Sequence, residues 1–315
     1  MTRYREICAD IARRVSVGEL PPGAELPAVR DLAGTWGTTA STASHAQRCL
    51  AEAGVIVLAA RRRARVAADG ELAARRFLHG ERVFTLAGSD DPALDVVARQ
   101  LGDRLVRVAG DGSFAGLRAV RQGRADGAAI HLLHHTGSYN APFARGLLRG
   151  LDPHLIHLWR REQGLIVPPG NPAGIGGVAD LVARRVVTRR PGTGTRVLLD
   201  RLLLAADHDP DELRGPEVGS HLDVALAVAT GSVDVGLGVR SAAADLDLDF
   251  IPLAWEEYEI VLGGAALDAA APLVGALRTP ALRSAVTDLG GYDTTASGEV
   301  TALSEAAGEA CPVWG

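Results

Sequence analysis

The chain contains no lysine: all 33 of its basic residues are arginine. A Walker-type phosphate loop, a Schiff-base enzyme and a pyridoxal-phosphate enzyme each require a lysine at the reacting group, so all three are excluded. Cysteine is nearly as scarce. Cys8, Cys49 and Cys311 show neither CxxC spacing nor an even count, which predicts reduced thiols and no disulfide framework. No apolar run reaches the roughly 20 residues that cross a bilayer. The first residues lead into an amphipathic segment and not a signal-peptide core, so a cytoplasmic protein without a membrane partner is expected. Catalytic signatures are missing too. His131, His134 and His135 lack a cysteine or carboxylate to complete a metal spacing, and no metal is expected. Gly192-x-Gly194-x-x-Val197 lacks the third glycine of a dinucleotide fingerprint. No serine sits in a Gly-x-Ser-x-Gly elbow. Asp90-Asp91 and Glu256-Glu257 are adjacent pairs that need not face one another. The expectation is a protein that is not an enzyme and carries no cofactor.

What is present is ample for folding: 315 residues, 47% of them apolar, can build two or three domains with separate cores. The net charge of −5 is unevenly placed. Residues 1–70 carry ten arginines against seven acidic residues, and the rest of the chain carries 23 against 31. A basic head on an acidic body suits a nucleic-acid contact confined to one end.

In that head, Tyr4, Ile7, Cys8, Ile11, Ala12 and Val15 recur at helical spacing over residues 3–16. Gly18 and Pro21-Pro22-Gly23 end the helix. Val29, Leu32, Ala33 and Trp36 form the face of a second helix behind Pro27. Thr38 or Thr39 caps a third that runs to Ala53 and stops at Gly54. Residues 55–58 and 65–67 then pair as a hairpin with Arg61-Arg62-Arg63 at its tip. Three helices and a basic hairpin describe a winged helix-turn-helix. The stretch resembles the DNA-binding domain of GntR-type regulators, through residues 18–27 (Gly-Glu-Leu-Pro-Pro-Gly-Ala-Glu-Leu-Pro), Arg30-Asp31-Leu32-Ala33, and Thr42 followed by Leu50 and Gly54. The resemblance implies a third helix in the major groove and a wing near the minor groove. Arg30, Thr39, Ser41, Thr42, His45 and Arg48 are then the candidate DNA contacts, with Arg61, Arg62 and Arg63 on the wing. Ala40 stands where the family usually has arginine, and Arg63-Ala64 where the wing usually has glycines, so base preference does not carry over. An isolated arginine triplet is ordinarily a solvated loop; after a helix-turn-helix it reads as a wing.

Residues 69–81 read as a helical linker. Beyond it, strand–loop–helix units recur. Strands are expected at 82–87, 105–109, 125–132, 165–167, 181–187, 233–238 and 250–253, and helices at 93–101, 114–122 and 222–230. Such alternation builds a mostly parallel sheet with ligand sites at the C-terminal strand ends. The sharpest loop is Arg189-Arg190-Pro191-Gly192-Thr193-Gly194-Thr195-Arg196, followed at once by an apolar helix. Unpaired N–H groups and the dipole at a helix start favour an anion. Glycines permit close backbone approach, and threonines add donors. Ser89, Ser113, Thr195 and Ser220 each sit at a helix start. Each alone is an ordinary N-cap; the repeated Gly-Ser of the first two crossovers favours a shared cleft.

The body resembles the two-lobed type-2 periplasmic-binding-protein fold, in the soluble version joined to molybdopterin-biosynthesis proteins and to DNA-binding domains. The likeness spans residues 82–295 and lies in Gly88-Ser89-Asp90-Asp91-Pro92, Gly112-Ser113-Phe114, Gly137-Ser138-Tyr139-Asn140, Arg161-Glu162-Gln163-Gly164, the 190–196 loop and Asp234-Val235-Gly236-Leu237-Gly238. The fold class expected is therefore α/β: a winged helix-turn-helix at 1–68, then a ligand-binding domain at 82–315. The resemblance divides that domain into one lobe of 82–158 plus 255–315 and another of 159–254, with crossovers near 158–162 and 253–258. It implies a small ligand held between lobes that close by hinge motion: an oxyanion such as molybdate or tungstate, or another small polar molecule. Ligand-facing candidates are Ser89, Ser113, His131, Tyr139, Asn140, Thr193, Thr195, Arg196 and Asp234. His131 ends an apolar strand, where a satisfied core histidine is the plainer alternative. Asp234 either bonds a ligand donor or fixes a loop. The function implied is a ligand-responsive transcription regulator that binds operator DNA as a homodimer. The alternatives are a small-molecule binding or scaffold protein that does not bind DNA, and a molybdenum-cofactor biosynthesis enzyme.

Overall fold

The computed structural model describes residues 3–59, 62–80, 83–108 and 112–303. The chain divides into two compact units, one ending at Val83 and the other starting at Phe84. In the first, α1 (Arg3–Ser16) buries Ile7, Cys8, Ile11, Ala12 and Val15 along one stripe, the face its apolar periodicity predicts. α2 (Val29–Thr35) and α3 (Ala40–Glu52) follow. Thr39 caps α3, its Oγ1 accepting the Thr42 N–H at 3.2 Å. β1 (Ile56–Val57) and β2 (Arg65–Val66) pair antiparallel. The Pro/Gly-rich segment covers the other edge of β2: Leu26 N–H donates to the Ala64 carbonyl at 2.8 Å, and Val66 N–H to the Ala24 carbonyl at 2.9 Å. The residues expected to form a linker make α4 (Gly70–His79), which packs on α1 and buries Ala74 in the same core. Cys8 and Cys49 are free thiols, and burial pushes the Cys8 thiol up to about 11. Cys311 lies outside the described residues.

In the second unit, β3 (Phe84–Gly88), α5 (Ala93–Leu101), β4 (Leu105–Arg107), α6 (Ser113–Arg121) and β5 (Gly127–Ile130) alternate, and their strands lie parallel in the order β4-β3-β5. α7 (Ala141–Leu147) leads into β6 (Pro153–Val167). A second set follows: β7 (Val186–Arg189), α8 (Gly194–Ala205), β8 (Glu217–Val218), α9 (His221–Ala229) and β9 (Val235–Val239), with β7 parallel to both β8 and β9. α10 (Arg240–Ala244) precedes β10 (Asp249–Gly263), which runs antiparallel along the length of β6. α11 (Leu267–Leu277) and α12 (Pro280–Thr287) return to pack on α5, and β11 (Tyr292–Asp293) and β12 (Val300–Ala302) pair with β6. The strand order β4-β3-β5-β10-β6-β9-β7-β8 thus joins two parallel lobes through two long antiparallel strands.

Both faces of each lobe's sheet are covered. Along β6, Leu165 and Val167 enter one core with Leu199 and Leu237, while Ile166 enters the opposite one with Val187, Val224 and Val228. That is the period-two alternation of a strand buried on both sides. The short strands expected at 165–167 and 250–253 are ends of β6 and β10. Their central residues are polar, which breaks the apolar signal although the strands continue. The strand expected at 181–187 is displaced to Val186–Arg189, because its partner β9 begins opposite Val186 at Val235. Arg185, just before β7, forms only an isolated bridge to Arg214, its N–H bonded to the Asp234 carboxylate at 3.0 Å. Among the described residues no helix is long and apolar enough to cross a membrane.

Candidate functional site

Strands of both lobes end at one cleft. In the first lobe, Ser89 follows β3, His131 follows β5, and Ser113 opens α6. In the second, Arg189 closes β7, Thr193 caps α8, and Ser220 caps α9 through a capping box with Asp223. These elements enclose a cavity of about 220 Å³ lined by Ser89, His131, Arg189, Arg190, Thr193, Thr195 and His221, with Asp90, Gly112, Pro191 and Gly219 completing the wall. The lobes approach closely: a Cβ on Gly112 would lie 3.9 Å from the Gly192 carbonyl oxygen. The starts of α6, α8 and α9 all lie at this cleft, so their unpaired N–H groups add positive potential there.

The buried side chains divide into committed and uncommitted groups. Ser89 and Ser113 share a 2.9 Å hydroxyl hydrogen bond, and Ser113 Oγ accepts the His131 N–H at 3.3 Å. Thr195 Oγ1 accepts from Gln163 Nε2 at 3.2 Å. Arg189 is 7% exposed and donates Nη2 to the Gly219 carbonyl at 2.7 Å, but its Nε has no partner. Burial, reinforced by the Arg161 charge, pulls the Arg189 guanidinium down to about 10. His221 is 3% exposed and its Nδ1 is also unpartnered. Burial and the Arg189 and Arg161 charges hold its ring neutral, well below the usual range. An unpaired buried donor costs free energy unless a further group meets it. The cavity wall therefore carries a fixed cation, Arg189, and a neutral imidazole, His221, whose Nε and Nδ1 respectively are buried and unpaired among the described residues.

A charged network at the lobe crossing backs the cavity. Arg161 of β6 donates to Asp91 at 2.7 Å and to Glu256 of β10 at 3.3 Å, and its guanidinium lies over the Tyr258 ring at 4.5 Å. Gln163 donates to Glu256 at 2.8 Å, and Tyr292 donates to Asp91 at 3.0 Å. Burial would raise the Glu256 carboxyl, but the Arg161 charge and the hydrogen bond from Gln163 hold it ionised, below the usual carboxylate range. Burial and Arg161 hold His131 neutral against the opposing pull of Glu256. Its Nδ1 lies 3.2 Å from Glu256 Oε2 but is not aligned for a hydrogen bond. Two carboxylates near the cavity are thus matched, Glu256 by Arg161 and Asp90 by Arg107.

Of the residues expected at the ligand, Ser89, His131, Thr193 and Thr195 line this cavity, and Ser113 stands behind Ser89. Tyr139 lines an adjoining compartment. Three others lie elsewhere. Asn140 is fully buried and braces the loop after β5, its Oδ1 accepting the Leu132 N–H at 2.7 Å and its Nδ2 donating to Glu259 at 2.8 Å. Arg196 turns away to Asp200, one helical turn on, at 2.7 Å. Asp234 precedes β9 and pairs with Arg185 at 2.6 Å, at the opposite strand end from the cleft. Arg189, Arg190 and His221 were not among the expected ligand residues. Two arginines closing an apolar strand, and a histidine directly after an N-cap serine, were the available signals.

In the first unit, Thr39, Ser41, His45 and Arg48 are exposed at the start and along one face of α3; Thr42 is half-buried, and Arg30 is exposed on α2. Thr39 and Thr42 are tied hydroxyl to hydroxyl at 2.9 Å, and the His45 ring packs 4.5 Å from Tyr4. Arg62 and Arg63 are exposed; Arg61 lies outside the described residues. Arg30 and Arg48 form no ion pair among the described residues, whereas Arg65 is held by Glu25 at 2.6 Å.

Comparison with known proteins agrees with this geometry. Residues 3–66 match the bacterial regulatory proteins of the gntR family, and residues 94–277 match the PBP superfamily domain. The uncharacterized protein YvgK of Bacillus subtilis (strain 168) is 31% identical over 227 residues, covering 70% of this chain and 74% of that protein. Among solved structures, a Corynebacterium glutamicum OxyR mutant in its H2O2-bound form aligns with a TM-score of 0.52 at 15% identity, over 90% of this chain and 94% of that one. The tungstate ABC transporter from Geobacter sulfurreducens aligns with a TM-score of 0.48 at 15% identity, over 66% of this chain and 99% of that one. The chain belongs to the PBP superfamily, with an N-terminal helix-turn-helix domain of the gntR family joined to its ligand-binding fold.

Proposed function

We propose that the protein is a ligand-responsive transcription regulator whose effector is a small anion held between the lobes of its second unit. The observation that carries this reading is Arg189: a buried guanidinium in no ion pair among the described residues, beside the buried, neutral His221, among helix starts and threonine hydroxyls. Such a site favours negative charge and leaves little for a cation. Molybdate and tungstate are among the oxyanions that would use these donors. Lobe closure on the anion is the proposed signal, passed to a homodimer that reads two operator half-sites in the cytoplasm. The test is binding of the full chain to its own promoter DNA over a salt series, with and without molybdate, tungstate, sulfate and phosphate. A regulator of this kind binds with a steep salt dependence, and an anion shifts the affinity. Salt-insensitive binding, or binding that no anion shifts, contradicts it.

A further inference from the structure

The cavity at Arg189 is not the whole cleft. A second, mostly apolar compartment of about 170 Å³ adjoins it. Phe114 of α6 and Phe143 of α7 form one wall, meeting edge to face at 5.7 Å. Leu132 after β5, and Val197 and Leu198 of α8, form others. His131 lines both compartments, and Gly194 of the second lies between Thr193 and Thr195 of the first. One helix therefore serves both spaces: α8 turns Thr195 toward the anion side and Val197 toward the apolar side, while α6 gives Phe114 to the apolar side.

The apolar compartment is accessible. Phe114 is 41% exposed and Val197 48% exposed, large values for residues beside buried serines and threonines. Of its polar groups, the Tyr139 hydroxyl donates to the Trp255 carbonyl at 3.4 Å and Glu256 is held by Arg161 and Gln163, while the exposed Arg201 adds one cation to the wall. A bare oxyanion can satisfy Arg189 and His221, but it gains nothing from Phe114, Phe143 and Val197. A molecule with an anionic head and an apolar body meets both demands and removes that apolar surface from water.

We propose that the effector is a small organic acid, its anionic group at Arg189 and His221 and its aromatic or branched aliphatic body against Phe114, Phe143 and Val197. This rests on the reading of the cleft as an anion site and names the class of anion. Calorimetric titration of the full chain with pairs that share a head group tests it: methylphosphonate against phenylphosphonate, and acetate against benzoate, beside inorganic phosphate and molybdate. The aromatic member of at least one pair is expected to bind at least tenfold more tightly, about 1.4 kcal/mol. Phe114→Ala and Val197→Asn, both at partly exposed positions, are expected to erase that preference while leaving inorganic phosphate binding within twofold. Equal binding within both pairs, or a preference that survives both substitutions, overturns the organic-acid assignment and leaves the anion site standing. Absence of binding by every anion overturns both.

Discussion

Replacing Arg189 with methionine separates ligand binding from folding, because the two are expected to move in opposite directions. In the free protein the Arg189 guanidinium is buried, forms no ion pair among the described residues, and is pulled from the ordinary 12.5 to about 10. That depression corresponds to roughly 3 kcal/mol by which the charged side chain opposes folding. Methionine fills the space of the stem without the charge, and loses one charge-assisted hydrogen bond to the Gly219 carbonyl, worth about 1–2 kcal/mol. The net expectation is a gain of about 1–2 kcal/mol, a rise in Tm of a few degrees at this domain size. Anion affinity falls in the same variant by about 10- to 100-fold, the loss of one hydrogen bond to a charged group. Thermal melts of wild type and Arg189→Met, each with and without a saturating anion, read both effects at once. A variant that melts lower yet keeps the full anion-induced shift would make Arg189 a structural residue and refute the reasoning.

Further outcomes are expected elsewhere. His131 and His221 are neutral when folded and take up protons near 6.5 when unfolded, so their contribution to stability is complete above about pH 6.5 and is lost as the pH falls below it. Melts across about pH 5 to 8 should show a shallower acid slope in His221→Asn; an identical slope contradicts a neutral His221. Thr195→Ala removes a cavity hydroxyl but leaves Gln163 bonded to Glu256, so the ligand response should weaken while DNA binding is spared; unchanged ligand affinity argues against the assigned role. Gly194→Ala places a methyl group against the His131 ring and should lower both stability, by about 1–3 kcal/mol, and anion affinity, as calorimetry and melting report. Substituting Arg30 and Arg48 by alanine should weaken DNA binding and reduce the slope of log affinity against log salt by about one for each DNA phosphate no longer neutralised; a mobility-shift series with unchanged slope removes them from the interface.

The helices of the first unit were legible because their signals are local. Apolar residues at helical spacing marked the buried face of α1, and a threonine one turn before the first apolar position marked the start of α3. The crossovers of the second unit were legible for the same reason, since a Gly-Ser or Gly-Thr loop before an apolar helix has its meaning within a few residues. The long strands were not. Between Pro153 and Leu165 the chain reads His-Leu-Ile-His-Leu-Trp-Arg-Arg-Glu-Gln-Gly, and the buried Arg161 and Gln163 look exposed until Asp91, Glu256 and Thr195 arrive from elsewhere to match them.

Arginine shows the division most clearly. Arg196 and Arg189 flank the same loop, and both were plausible anion ligands by type and position. Arg196 is removed by Asp200, a carboxylate four residues on along the same helix, a pairing the spacing itself contains. Arg189 becomes the candidate because no carboxylate among the described residues comes within ion-pair distance of it, although Asp90 and Asp223 act on it from further off, which no local pattern reveals. Asp234 fails as a ligand because β7 and β9 run parallel and start together, so it meets Arg185 and not the cleft. The amino-acid sequence by itself determined the modules: which segments are helices, where they are capped, and that a basic winged head precedes an α/β body. Only the tertiary structure decided the site. Ser89, His131, Arg189 and His221 are dispersed along the chain, and whether a buried charge is neutralised or left free depends on which distant side chain folding brings within about 4 Å of it.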